Sequence, residues 1–371
     1  MVARSTERDE LARGFRTFAE QTRGSSPLYS ALAPAIAGEP ELLELLLAAP
    51  PAQRRPNLLF AAVHDLLLAG VEHPLARYYP SIQPDSAPPD AAAFEAFCEL
   101  CRSHRDALYR TIATRHTQTN EVGRSAALLP ALQRIAVEQP LALLELGASA
   151  GLNLLVDRFR YRYGQGRWIG PADSEVHVAC EVRGHPPPLR RQPPRIGFRL
   201  GIDLRPLDPT DPADARWLMA CVWPEHTRRM QLLRAALQLA RRHPPRLVRA
   251  DAALVLEQLA DRVPKGLALC VFHTATMPYL SERQRAQCVA ALERLGSRRA
   301  LHWLSLEGHG EQAFGARLPF DRLYAPRPGE RHTDTYGLVG YATWKDGRRQ
   351  ERVLARADMH GSWIEWLAPD W

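Results

Sequence analysis

Leu141-Ala-Leu-Leu-Glu145-Leu-Gly147-Ala-Ser149-Ala-Gly151-Leu-Asn153 runs a buried-strand pattern straight into a glycine-bearing turn. Its first six residues are almost continuously apolar, as in a strand covered on both faces of a parallel sheet. Small residues at 147, 149 and 151 would let a ligand approach the backbone closely. Leu152, Leu155, Val156 and Phe159 then recur at helical spacing, so Leu152–Tyr163 is expected to be a helix with its N-terminal N–H groups turned to polar or anionic atoms. Leu152 breaks a dinucleotide fingerprint, and without a lysine the loop is no P-loop. What remains is E-x-G-x-S-x-G.

Downstream, short β-compatible runs alternate with helical patterns, which predicts a mostly parallel sheet with crossover helices. The expected strands are Ile196–Leu204, Leu247–Ala250, Leu267–Phe272 and Ala300–Leu306, with a capping box at Ser281–Gln284 opening the helix before the last. Leu338–Trp344 and Arg352–Ala357 flank Lys345-Asp-Gly347, a hairpin signal. Residues 165–195 read as an insertion, with a strand at Val176–Val182 and a Pro/Arg tract from His185 to Arg195.

Upstream, residues 1–130 read as an all-helical cap, and 131–371 as the α/β domain. Proline-rich joints separate the helices: Leu42 to Leu47 end at Pro50-Pro51, and Asn57 is expected to cap the next. Helices are expected over Ala91–Arg115 and Asn120–Glu138. His64, Tyr78-Tyr79, Trp363 and Trp366 read as core or cap packing.

Composition narrows the classes. The 371 residues carry 48 basic against 41 acidic side chains, a net charge of +7. Lys265 and Lys345 are the only lysines, so the excess reads as arginine-rich coding bias more than as a nucleic-acid surface. No apolar run is long enough to span a membrane, and the charged N-terminus lacks a signal-peptide core, so a cytoplasmic location is expected. Cys98 and Cys101 share a helical face, but no second pair completes a metal site.

The motif E-x-G-x-S-x-G resembles the first motif of class I S-adenosylmethionine-dependent methyltransferases. That resemblance implies a Rossmann-like fold whose loop (Glu145, Gly147, Ala148, Ser149, Gly151 and Asn153) holds the methionine half of the cofactor. Gly201-Ile-Asp-Leu-Arg-Pro206 resembles the second motif, which makes Asp203 the ribose acid, with Leu204 beside it and Glu181 as its rival. Asp251 and Ala252 match the adenine-contacting position, where helix capping by Asp251 is the alternative. His273 ends the fourth parallel strand and is a candidate general base or a pocket-lining residue. Asn120, Glu121 and Arg124 form a candidate substrate or lid segment. Taken together, QTNEVGR, LLELGASAGLN, CEVRG, GIDLRPLD, VWPE and HGSWIEW resemble one bacterial family, domain of unknown function 2332.

The function expected from these readings is S-adenosylmethionine-dependent methyl transfer to a small-molecule acceptor. The alternatives are a non-catalytic binding or regulatory protein of the same fold, and an RNA-directed methyltransferase.

Overall fold

The computed structural model describes residues 2–308, 336–345 and 347–371. In chain order its first helices are α1 (Val2–Thr22), α2 (Pro27–Ile36), α3 (Pro40–Leu46), α4 (Pro56–Leu68), α5 (Ala91–Ser103), α6 (Arg105–Thr114) and α7 (Ser125–Ile135). The strands β1 (Leu141–Leu146), β2 (Arg160–Tyr163), β3 (His177–Gly184) and β4 (Ile196–Asp203) follow. Next come α8 (Pro212–Ala220), α9 (Thr227–Arg242), β5 (Leu247–Arg249), α10 (Ala252–Asp261), β6 (Ala268–Thr274), α11 (Glu282–Arg298) and β7 (Leu301–Gly308). The strands β8 (Tyr336–Lys345), β9 (Arg348–Asp358) and β10 (Trp363–Trp366) close the chain.

Two compact units result: Met1–Thr119 with Asp211–Arg234, and Asn120–Thr210 with Ala235–Trp371. The first is helical. Its core is aromatic, with Tyr29 stacked on Phe60 at 4.1 Å between ring centroids and Phe18, Phe97 and Tyr79 around them. Glu225 fastens the start of α2, accepting from Ser26 Oγ at 2.7 Å and from the Leu28 N–H at 2.8 Å. His64 is fully buried between the Ala220 carbonyl and Ser81 Oγ, at 3.1 and 2.8 Å. The carbonyl can only accept, so Nδ1 carries the proton and Ser81 donates to Nε2.

The second unit is mixed α/β, with ten strands in the order β2-β3-β10-β9-β8-β7-β6-β1-β4-β5. Strands β1, β4, β5, β6 and β7 are parallel, while β8 and β9 are antiparallel neighbours. The parallel strands leave β1 in opposite directions, towards β4 and towards β6. A topological switch point therefore lies at the carboxyl ends of β1 and β6, where open α/β sheets place their ligands. One face packs on α10 and α11 through Leu144, Leu146, Ile202, Leu256, Leu292 and Trp303. On the other side lies α7, buried all round from Ser125 to Gln133 and touching both β7 and β3.

Several expectations need correction. Leu152–Tyr163 is no α-helix. Leu152–Arg158 is a 3₁₀ turn with Leu155 outside helical geometry, and residues 160–163 form β2, paired in parallel with β3. The alternation Arg160-Tyr161-Arg162-Tyr163 carries that strand's period of two, with the tyrosines buried and Tyr163 Oη donating to the Ala126 carbonyl at 2.6 Å. The expected Ala91–Arg115 helix breaks at His104. Asn57 lies inside the first turn of α4, whose cap is Arg55. α7 begins at Ser125, after a 3₁₀ turn at Val122–Arg124. The strand expected at Val176–Val182 is β3, which lies in the sheet between β2 and β10. The β8–β9 pair confirms the hairpin, although Asp346 of its turn lies outside the described residues. No helix among the described residues is long and apolar enough to cross a membrane.

Candidate functional site

At the end of β1 the chain enters Gly147 and Gly151 with left-handed φ of 68° and 70°, and Ser149 adopts φ 54° although it carries a side chain. Just past β6, Ala275 does the same at φ 50°. Left-handed backbone costs a non-glycine residue about 1–2 kcal/mol. Strain of this kind on both lips of the switch point marks a region held in place by its surroundings, as binding sites often are.

The loop's own hydrogen bonds show what holds it. The N–H groups of Gly147 and Ala148 donate to the Ile202 carbonyl, and that of Gly151 donates to the Ala148 carbonyl. The Ser149 N–H donates to Asp203 Oδ2 at 2.8 Å, and the Leu152 N–H to Asn120 Oδ1 at 2.9 Å. The expectation of free N–H groups turned towards a ligand is thus corrected: these five are spent inside the protein, and no α-helix stands behind them. The glycines are also spoken for. A Cβ on Gly147 would lie 2.6 Å from the Thr276 side chain, and one on Gly151 would lie 2.9 Å from Leu247 and Pro245. Close approach is real here, but protein side chains make it.

Asp203, the ribose candidate, accepts from Ser149 through Oδ2 and from the Arg205 N–H through Oδ1 at 2.7 Å. Each oxygen keeps one lone pair for another donor. Leu204 is exposed beside it, while Glu181, the rival acid, sits on β3 paired in register with Trp363. Asp251 caps α10: Oδ1 accepts from the Ala253 N–H at 2.9 Å and Oδ2 from Gln284 Nε2 at 2.9 Å. That is the capping alternative; Ala252 is simply the first residue of α10.

His273 does not reach the Glu145 side of the sheet. Glu145 pairs in register with Phe272, so the next residue along β6 faces the other way, towards α10 and α11. There His273 is 0% exposed, with Nδ1 2.6 Å from Glu307 Oε1 and Nε2 accepting from Trp303 Nε1 at 2.9 Å. The indole can only donate, so Nε2 is unprotonated and Nδ1 donates to the carboxylate. Both nitrogens of this candidate general base are thus occupied, away from solvent. Ser305 is its register partner, but Trp303 holds the nitrogen that a nucleophilic serine would need. Glu307 Oε1 also accepts from the Thr276 N–H at 2.9 Å, and so supports the strained turn that presses Thr276 onto Gly147.

Glu145 ends β1 at 1% exposure, with Asn153 at 2% beside it. Burial pushes the Glu145 carboxyl well above the usual range; Asn153 and the Arg124 guanidinium offset part of that shift and the Asp203 charge adds to it. Asn153 lies against the carboxyl closely enough to lower its pKa, but without good hydrogen-bond geometry, so that Glu145 Oε2 and both amide atoms of Asn153 are left short of a full partner. Three unsatisfied buried polar atoms side by side would be costly in a purely structural core, since each forfeits about 1–3 kcal/mol.

The segment expected to act as substrate contact or lid closes this side of the sheet. Asn120 Oδ1 caps the Leu152 N–H; Arg124 Nε donates to the Met359 carbonyl at 2.8 Å and Nη1 to the Thr274 carbonyl at 3.5 Å. Glu121 Oε2 lies 3.1 Å from His360 Nδ1. Gly123 and Gly361 meet backbone to backbone, so that a Cβ on either would fall about 2 Å from the other strand's carbonyl oxygen. The motifs at 118–124 and 360–366 are thus one structural clasp, and both glycines are explained by it. A family model, described as "Uncharacterized protein conserved in bacteria (DUF2332)", matches residues 12–366.

The chain belongs to this family.

A comparison with curated proteins returns no match. In this DUF2332 protein the six stretches quoted above divide by role. QTNEVGR, LLELGASAGLN, GIDLRPLD and HGSWIEW meet around the switch point through Asn120, Arg124, Ser149, Asp203 and His360. VWPE supplies Glu225 to the helical unit, and CEVRG lies in β3. Sequence reasoning missed Thr276, Trp303 and Glu307; only the sheet register brings Thr276 to the loop and Trp303 and Glu307 to His273.

Proposed function

We propose that this protein binds S-adenosylmethionine at the switch point of its sheet and acts as a methyltransferase on a small-molecule acceptor. The observation that carries the reading is the group of unsatisfied buried polar atoms on Glu145 and Asn153. Glu145 Oε2 and Asn153 Oδ1 could both accept from an ammonium group, and Asn153 Nδ2 could donate to a carboxylate. An α-amino acid moiety supplies both functions. Asp203 retains lone pairs for ribose hydroxyls, and exposed Leu204 offers an apolar surface beside it. Asp251 is the weakest of the proposed contacts, because both its oxygens already serve α10 and Gln284. The cofactor brings an activated methyl group, so this chain's task is to align it and exclude water.

A second reading, binding without turnover, is favoured by one observation: His273 is sealed between Trp303 and Glu307 and offers no base to an acceptor. Calorimetric titration with S-adenosylmethionine and S-adenosylhomocysteine, with NAD and ATP as controls, tests the common premise. Selective binding of the sulfur nucleotides, lost in Glu145→Gln and Asp203→Ala, is the expected result. Equal or absent binding of all four removes both readings. A methylation screen over metabolite classes then separates turnover from binding alone.

A further inference from the structure

The face of β2 and β3 opposite the buried tyrosines carries a second chemical pattern, apart from the switch point. Tyr161 and Tyr163 of β2 point inward, so Arg160 and Arg162 point outward. Tyr161 bridges to Ile169, which fastens the following turn along the free edge of β2 and sets Trp168 on the outer face. The Arg160 and Arg162 guanidinium carbons lie 5.7 and 5.0 Å from the centre of the Trp168 ring, and His177 of β3 lies 5.1 Å from it, centre to centre. One strand further on, Arg183 covers the Trp363 ring at 4.2 Å. Arg183 has a carboxylate nearby, Glu181 at 3.6 Å. Arg160 and Arg162 have none within ion-pair distance among the described residues.

Residues 160–184, which span β2, the Trp168 turn and β3, hold four arginines against three carboxylates. Of those three carboxylates, Glu175 is already held by Arg242 at 2.8 Å. Arg160 Nη1 reaches the Ala172 carbonyl at 3.5 Å, and the remaining N–H groups of the two guanidiniums can turn to phosphate while the partly exposed ring offers a surface on which a base can stack. Duplexes hide their base faces, so this interleaving of arginine and tryptophan suits an unpaired strand.

We propose that the β2–β3 face is a docking surface for single-stranded nucleic acid, with Arg160 and Arg162 on consecutive phosphates and Trp168 against a base. Fluorescence anisotropy of the full chain with labelled oligouridylate and oligothymidylate, repeated over a salt series, tests it. Arg160→Gln with Arg162→Gln should weaken binding about tenfold and lower the slope of log affinity against log salt by about 1.4, two phosphate contacts at ~0.7 each. Trp168→Leu should weaken binding about five- to tenfold with the slope unchanged, because stacking releases no counterions. Trp168→Phe, which keeps a ring for packing and stacking, should retain most of the affinity and guards against a folding artefact. Removing the same two charges from α6, by Arg105→Gln with Arg110→Gln, should leave binding as it was. The proposal is overturned if the wild type does not bind at 50 mM salt, if the α6 variant loses as much as the β2 variant, or if anionic phospholipid vesicles, and not oligonucleotides, depend on Arg160 and Arg162. None of these outcomes depends on what the switch point binds.

Discussion

Asp203 Oδ2 and the Ser149 N–H are joined at 2.8 Å, so the carboxylate that ends β4 holds the left-handed serine that follows β1. The second oxygen steadies the chain's exit from β4 through the Arg205 N–H. The side chain that the methyltransferase resemblance assigns to the ribose is also the brace of the loop, and the two roles can be told apart by stability.

Asp203→Ala should therefore destabilise the protein by about 1–3 kcal/mol even without ligand, as expected for a lost hydrogen bond to a charged acceptor. Asp203→Asn, which keeps one acceptor oxygen, should fall between. Urea unfolding measures both; an alanine variant as stable as the wild type would show that the loop holds itself.

Glu145 sets a pH dependence. Its carboxyl is raised well above its ordinary 4.5, so from pH 4.5 upward the unfolded chain is ionised while the native one stays protonated. The native state then binds the extra proton, and this group's contribution to stability declines as pH rises until its native pKa is passed. The slope is at most about 1.4 kcal/mol per pH unit. Glu145→Gln should remove that decline in unfolding experiments between pH 4.5 and 8. Parallel curves for variant and wild type would refute the buried, neutral carboxyl.

His64 in the helical unit acts with the opposite sign. Burial lowers its pKa from 6.5 to about 4, so between those values the unfolded chain takes up a proton that the native one refuses. Stability from this group is complete above pH 6.5 and is lost on acidification towards pH 4, by about 3 kcal/mol in all. His64→Gln should flatten that acid limb, whatever it costs at neutral pH. A titration of the ring by NMR with a midpoint near 6.5 would contradict the assignment.

The clasp of Gly123 and Gly361 admits no Cβ on either side, since each would strike backbone and not a movable side chain. Gly123→Ala and Gly361→Ala should each cost about 1–3 kcal/mol, the usual range for overpacking. Gly361 adds the cost of its left-handed φ of 77°. Both changes open the same contact, so the double variant should cost clearly less than the sum of the two. Full additivity in thermal or urea unfolding would mean that the two segments do not act as one element.

Much of the α/β core could be read in advance. β1, β6 and β7 are buried strands rich in apolar residues between turn signals, β4 is buried over 200–202, and the Ser281–Gln284 capping box has its own local chemistry. The segment after Gly151 could not be settled in the same way. Leu152, Leu155, Val156 and Phe159 suit a helix, but Asn120 takes the Leu152 N–H and β3 claims residues 160–163. Partners 32 residues upstream and 17 downstream outweigh local periodicity there, at a cost that propensity alone cannot register.

From the sequence alone follow the parallel α/β core, the acidic residue near the end of β1 at Glu145, the glycine-bearing turn and the all-helical N-terminal stretch. All of these depend on residue type at short spacing. The tertiary structure alone decides that His273 faces away from Glu145, that Trp303 and Glu307 occupy both its nitrogens, and that Gly147 makes room for Thr276. It alone brings residues 120–124 and 359–361 together beside the loop. Those outcomes depend on sheet register and on contacts between distant segments, and in a strand one step of register exchanges the two faces.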